Sequence, residues 1–422
     1  MQTAFENWTQ GRDVPTLGTN AGATKLPFQT WRHFKEAFAP ELIARAVRES
    51  GRPVKRCIDP FGGSGTTALA CQFLGVDPIT IEVNPYLADL IEAKLTSYDS
   101  GALTTDFGNI LRYVDSQRTS HDLTHLPKTF VSPGVKDRWI FSESLAQRIE
   151  SYRKAINVLT RLEHQRFFKA ILGGFIIDVS NVFVNGKGRR YRQNWEVRQH
   201  TPKSLDEQFC EKVQQALYEI VRHSNRPTKS YKLIRGDCLK AIKDAPRADL
   251  AVFSPPYPNS FDYTDIYNVE LWMMGYLTSS ASNQELRKST LASHVSIKRE
   301  FSSKPKGSRT LNKVSKQLHE VVDTLWNPWI PSMVDGYFAD MTQILAALRK
   351  NLKVRGEVWS VVGDSLYSGV HIPVAKILAE LAPLVGFDVV GTEAFRSMRA
   401  SAQQGGGKEL EETLIIFRKN SE

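Results

Sequence analysis

The sequence predicts an α/β fold: one open sheet of seven strands with helices between them, interrupted by a long, mainly helical insertion. Three observations carry that prediction. An apolar run, Val54 to Ile58, ends in a glycine-rich turn and leads into a helical pattern. A second apolar run, Ala248 to Phe253, ends in Ser254-Pro255-Pro256-Tyr257. Between them, residues 101–230 carry apolar residues at helical spacing, including Leu145, Ile149, Tyr152, Ile156 and Leu159.

Composition bounds the reading. The 422 residues suffice for one large α/β domain with an insertion, or for two domains, and 41% hydrophobic residues supply a core. A net charge of +10 points to a polyanionic partner. Cys57, Cys71, Cys210 and Cys238 show no paired spacing, so reduced thiols and no metal site are expected. The opening MQTAFENWTQ has neither a basic nor an apolar leader segment. No apolar run approaches the roughly 18 residues that a membrane span needs. A cytoplasmic protein located with its nucleic acid, at the nucleoid, is expected.

Taken in order, residues 1–24 read as an irregular polar arm. Pro40 opens a helix whose apolar face is Leu42, Ile43, Ala46 and Val47. The first strand then ends in Asp59-Pro60-Phe61-Gly62-Gly63-Ser64-Gly65-Thr66-Thr67. A strand, a glycine turn and a helix let backbone approach a ligand closely. Thr66 stands where a phosphate-gripping loop would carry lysine, so a nucleotide-like ligand without a triphosphate fits better. A second strand, Pro78 to Ile81, ends in Glu82, about twenty residues on, where an acid can accept from ribose hydroxyls. Asn84-Pro85-Tyr86 starts a helix reaching Leu95.

The insertion continues through Phe167-Phe168 and a helical run from Ala170 to Val179 to a basic, aromatic stretch, Asn185 to Trp195. Arginines and lysines interleaved with Tyr191 and Trp195 on a glycine-bearing loop suit contact with phosphates and bases; a solvated basic turn is the plainer alternative. A third strand, Tyr231 to Ile234, precedes Asp237 and Cys238. The fourth ends in the Ser-Pro-Pro-Tyr tetrapeptide. From Ser279 to about Gln317 the chain is rich in Lys, Arg and Ser, and reads as a mobile basic loop lying along a phosphate backbone. A helix from Asp340 to Leu352, a strand over Gly356 to Val362, a helix from Pro373 to Leu384 and two last strands, Phe387 to Val390 and Leu414 to Phe417, complete seven strands. Asp364 ends the fifth strand with its role open.

The tetrapeptide carries the chemistry. Prolines donate no hydrogen bond, so the Ser254 hydroxyl and the Pro255 carbonyl can both accept from an exocyclic amine, while the Tyr257 ring can stack on a flat base. An aromatic amine is a poor nucleophile because its lone pair is delocalised. Two fixed acceptors free that pair for in-line attack on a methyl donor. A proline-rich turn after a buried strand is the structural alternative.

With DPFGGSGTT, Glu82 and SPPY in this order, the chain resembles the amino-methylating DNA methyltransferases of the N4-cytosine and N6-adenine family, over roughly residues 25 to 95 and 231 to 419. The resemblance implies a seven-stranded Rossmann-like methyltransferase sheet with an antiparallel last strand. It implies S-adenosyl-L-methionine as cofactor, held by Phe28, Asp59, Phe61, Gly63, Gly65, Thr66, Glu82, Asp237 and Cys238. It implies Ser254, Pro255, Pro256 and Tyr257 as the catalytic set. Double-stranded DNA is the implied partner, with a cognate restriction endonuclease as a further candidate. Candidate DNA contacts are Lys187, Arg189, Arg190, Tyr191 and Arg192 in the insertion, Asn259 and Tyr263 beside the pocket, and Lys304, Lys306 and Arg309 in the basic loop.

The expected organisation is a cofactor half over residues 1–100, the inserted module over 101–230, a catalytic half over 231–278, the basic loop over 279–325 and the sheet's completion over 326–422. Phe261 and Asp262 join Asn259 and Tyr263 as the expected near wall of the target pocket. Ser at position 254 is the form often seen in cytosine-N4 enzymes, where adenine-N6 enzymes more often carry Asp or Asn. A cytosine-C5 mechanism lacks its cysteine, because Arg56, Ala70, Phe209 and Asp237 precede the four cysteines where proline is usual. Adenine N6, RNA, and a non-catalytic binding role remain the alternatives.

Overall fold

The computed structural model describes residues 3–14, 16–20, 22–33, 37–117, 120–185, 188–197, 200–399 and 409–420. Lys187 and the stretch from Gln404 to Gly407 lie outside these residues. The main sheet contains β1 (Arg56–Asp59), β2 (Asp77–Glu82), β3 (Lys232–Arg235), β4 (Ala248–Phe253), β5 (Leu352–Gly363), β6 (Phe387–Arg399) and β7 (Glu409–Lys419). Their order is β6-β7-β5-β4-β1-β2-β3, and only β7 runs against its neighbours. This is the seven-stranded Rossmann-like order, with one antiparallel strand, that the resemblance implies. β4 is buried at all six positions, as a central parallel strand covered on both faces should be.

Strand order reverses at the β1–β4 pair, where Cys57 lies opposite Leu250 and Ile58 opposite Ala251. A cleft opens beyond the carboxyl ends of strands at such a reversal, because the loops leaving them diverge to opposite sides. The glycine turn leaves β1 and Ser254 leaves β4, so both enter that cleft.

Two apolar cores flank the sheet. One gathers the helices Pro40–Glu49, Thr66–Leu74 and Pro85–Leu95 together with the helices of the insertion: Ser100–Ser116, Glu143–Asn157, Leu162–Phe175 and Pro202–Arg222. The other lies under Ile330–Asn351 and Val374–Leu381. The buried residues of the insertion share one core with the helices over residues 40–95. Glycines permit the contact, since a Cβ at Gly173 would overlap the Tyr86 ring and one at Gly174 the Trp31 carbonyl.

Several expectations are corrected. The N-terminal arm is not irregular. Thr3 caps a helix, Ala4–Thr9, whose Trp8 stacks on Phe73 at 4.7 Å and donates to the Pro27 carbonyl at 3.0 Å. The segment 279–325 is not a mobile loop: it contains the helices Ser280–Lys288 and Arg309–Glu320, and Leu311, Val314 and Leu318 of the latter are buried. The helix expected over Ala170 to Val179 instead spans Leu162–Phe175. The basic stretch is a β-hairpin, Val182–Asn185 paired with Gly188–Tyr191.

Candidate functional site

The cleft holds a cavity of about 470 Å³ lined by both halves of the sheet. That volume lies within the roughly 300–1,000 Å³ of small-ligand sites. Its first half is the glycine turn. Gly62 donates to the Ile81 carbonyl at 2.9 Å, and Gly65 closes the turn on the Gly62 carbonyl at 2.8 Å. A Cβ at Gly62 would overlap the Thr80 and Ile91 methyl groups, so only glycine lets the turn lie this close to β2. Beneath it, the buried Lys94 ammonium donates to the Ser64 carbonyl at 2.7 Å. Burial pulls the Lys94 pKa down to about 7, against the opposing pull of Glu219.

Two carboxylates fix the turn. Asp59 accepts from the Phe61 amide at 2.8 Å, and burial pushes its pKa up to about 6. Glu82 accepts from Gly63 N at 2.7 Å and Asn84 N at 2.8 Å. Burial raises it to about 7 despite those bonds.

Asp59, Phe61, Gly63, Thr66, Glu82 and Cys238 all line the cavity. Gly65, at φ +83°, caps the helix behind the turn, and Asp237 caps the helix Cys238–Ala241 through Leu239 N. Neither is part of the cavity lining, whereas Gly236 is. Phe28 does not line the cavity: it is fully buried, 6.4 Å from Phe73, under the Arg226 guanidinium at 4.5 Å. Phe38 and Ala37, ten and nine residues further on, do line it.

The second half begins at Ser254, Pro255, Pro256 and Tyr257, all of which line the cavity. The Tyr257 hydroxyl donates to Glu412 Oε1 at 2.9 Å, and Ser254 Oγ donates to the Tyr257 oxygen at 3.3 Å. Asn259, Phe261 and Tyr263 extend the wall, with Phe261 edge-on to Tyr263 at 4.9 Å.

Asp262 lies behind the wall. It accepts from Thr264 N and Oγ1, Ser296 Oγ and the Arg287 guanidinium. Burial opposes its ionisation, but His294, Thr264 and Arg287 outweigh that and bring its pKa to about 2. It thereby fastens the helix Ser280–Lys288 to the wall. Ser289, Thr290, Leu291, Ser293 and His294, from the stretch expected to be a mobile loop, line the cavity, as does Glu412. None of these was visible in the sequence, since no local pattern ties them to the tetrapeptide.

The candidate DNA contacts divide. Arg190, Lys306 and Arg309 are exposed and Lys304 is half-buried. Arg189 lies over the Phe130 ring at 5.8 Å. Its charge reaches Asp265, whose carboxyl is pushed up by burial and Asp262 and drawn back by Arg189. Tyr191 packs 5.2 Å from Trp195 and beneath Arg138. Arg192 is a structural clamp, donating to the carbonyls of Ser180 and Ile177. Asp364 also acts structurally, accepting from Val374 N at 2.9 Å and pairing with His371.

Residues 6–93 match the family described as DNA methylase, of the N6/N4 type. Type II methyltransferase M.BsoBI of Geobacillus stearothermophilus is 24% identical across 92% of this chain and 85% of its own length. Type II methyltransferase M.AvaI of Nostoc sp. is 23% identical across 93% of this chain and 86% of its own. Over residues 6–93 the chain carries an amino-methylating DNA methylase domain of the N4/N6 type. The methyltransferase takes its methyl group from S-adenosylmethionine, and the first half of the cavity fits that donor. Its turn presents bare main chain, Glu82 offers carboxylate oxygens, and Phe38, Phe61 and Ile81 offer apolar surface. Among the described residues of the methyltransferase no group of His, Cys, Asp and Glu could hold a metal ion. Nor is any described helix long and apolar enough to cross a membrane.

Proposed function

We propose that the protein methylates the exocyclic N4 amine of cytosine in duplex DNA, on a base turned out of the helix into the cavity. The observation that carries the reading is a hydroxyl, Ser254, at the head of the tetrapeptide and on the same cavity as the glycine turn. In this reading S-adenosylmethionine supplies an electrophilic methyl group. Glu82 accepts from its ribose hydroxyls, while Asp59 keeps the glycine turn in shape. Ser254 Oγ and the Pro255 carbonyl accept the amine protons and so leave the nitrogen lone pair directed outward. Tyr257 stacks on the base, with Phe261 and Tyr263 closing the other side.

The hairpin with Arg189 and Arg190, and the exposed Lys306 and Arg309, supply phosphate contacts that hold the duplex over the cavity. A cognate restriction endonuclease would recognise the same duplex site.

The test is direct. The protein is incubated with S-adenosylmethionine and mixed-sequence duplex DNA, and the digested nucleosides are identified by mass spectrometry. N4-methylcytosine is the expected product. N6-methyladenine would keep the amine chemistry and overturn the base, and transfer only to RNA would overturn the substrate.

A further inference from the structure

We infer that Glu412 is a positioning residue: it sets the direction of a hydrogen-bond chain through Tyr257 to Ser254, so that Ser254 turns only acceptor capacity toward the target amine. The inference rests on the amine-methylation reading. Glu412 is contributed by β7, 155 residues from Tyr257, and is 3% exposed. The loop at Gly18 closes over it, since a Cβ at Gly18 would lie 2.6 Å from Glu412 Oε2.

The direction follows from donor counting. An ionised carboxylate accepts and cannot donate, so the Tyr257 proton lies on the 2.9 Å bond to Glu412. The phenol oxygen then has only lone pairs for Ser254, whose single proton goes to it at 3.3 Å. What Ser254 has left for the cavity is lone pairs. An amine N–H meets an acceptor there, whereas a ring carbonyl at the same place meets no donor and is rejected. Burial and the nearby Glu412 charge hold the Tyr257 hydroxyl well above its usual pKa, so it remains a donor. The chain also fixes the Tyr257 ring at its far end.

Glu412→Gln tests this, because the amide can turn its NH2 toward Tyr257 and let the chain run in reverse, with the Ser254 proton facing the amine. Single-turnover methylation should slow on the order of 100-fold, the size of loss that follows removal of one preorganised hydrogen bond to a reacting group. Methyl-donor Kd by calorimetry and the melting midpoint should stay at wild-type values. In a Ser254→Ala background, Glu412→Gln should cause no further loss, since its effect passes through Ser254. A merely structural role would slow both backgrounds alike.

Wild-type rate in Glu412→Gln, or a full additional loss on Ser254→Ala, overturns the inference alone. A wild-type protein that methylates no amine overturns the functional reading and this inference with it. If Glu412→Gln does not fold, Tyr257→Phe, which keeps the ring and cuts the chain, must show the same loss and the same non-additivity.

Discussion

Glu82 accepts from the glycine turn at Gly63 N, and in the proposed reading the same carboxyl accepts from the methyl donor's ribose. Its pKa near 7 in the folded protein lies above the usual carboxylate value because burial disfavours the charge. A raised carboxylate pKa contributes stability below its unfolded value, and that contribution is lost as pH rises through about 7. Donor binding runs the other way, because ribose hydroxyls need the ionised acceptor. S-adenosylmethionine affinity should therefore climb, by up to about tenfold per pH unit, as pH rises toward 7, and level off above it. Calorimetric titration from acid to neutral pH, taken as the ratio of wild type to Glu82→Gln, isolates this residue from Asp59 and from the ligand's own groups. A flat ratio would remove Glu82 from the donor site. Glu82 was legible in the sequence because its place is local, at a strand end a fixed distance after a glycine turn. Glu412 was not, because its partner is 155 residues away and only the pairing of β7 with β5 brings it there.

At the scale of elements, spacing proved a better guide than composition. The stretch around Arg309–Glu320 reads as a basic loop when its lysines are counted, yet Leu311, Val314 and Leu318 fall three and four residues apart and share one buried face. Ser308 caps that helix by accepting from Leu311 N at 2.9 Å and donates to Glu380 at 2.6 Å. Leu318→Ala should therefore destabilise the protein by roughly 2–5 kcal/mol, as deletion of buried leucine atoms does, read as a lower urea midpoint. The same change in a mobile loop would leave the midpoint where it was. The N-terminal helix teaches the same lesson, since Phe5 and Trp8 lie three residues apart and both are buried behind a Thr3 cap. The strands were easier: β4, apolar but for Asp249 and followed by Ser254 and two prolines, needed no tertiary information.

For the whole molecule the decisive fact is that the insertion, which looks like an appended module in the sequence, completes the core of the cofactor half. Glu219, on the last helix of the insertion, accepts from Phe28 N at 2.6 Å, Trp31 Nε1 at 2.8 Å and Thr30 Oγ1 at 3.0 Å. The segment that carries Phe28 leads on to Ala37 and Phe38 at the cavity, so the insertion supports this wall of the cavity from behind. Arg32 continues the link by pairing with the buried Glu270 at 2.7 Å, on the helix that follows the target wall. Removing Glu219 leaves buried donors without an acceptor, each worth about 1–3 kcal/mol. Glu219→Ala should accordingly lower the thermal midpoint of the entire protein, and tryptophan fluorescence and circular dichroism should still report one coincident transition. Two separated transitions, with only the first shifted, would mean that residues 101–230 fold as a unit of their own. A single transition means that residues 101–230 and the cavity wall they support unfold together, as one cooperative unit.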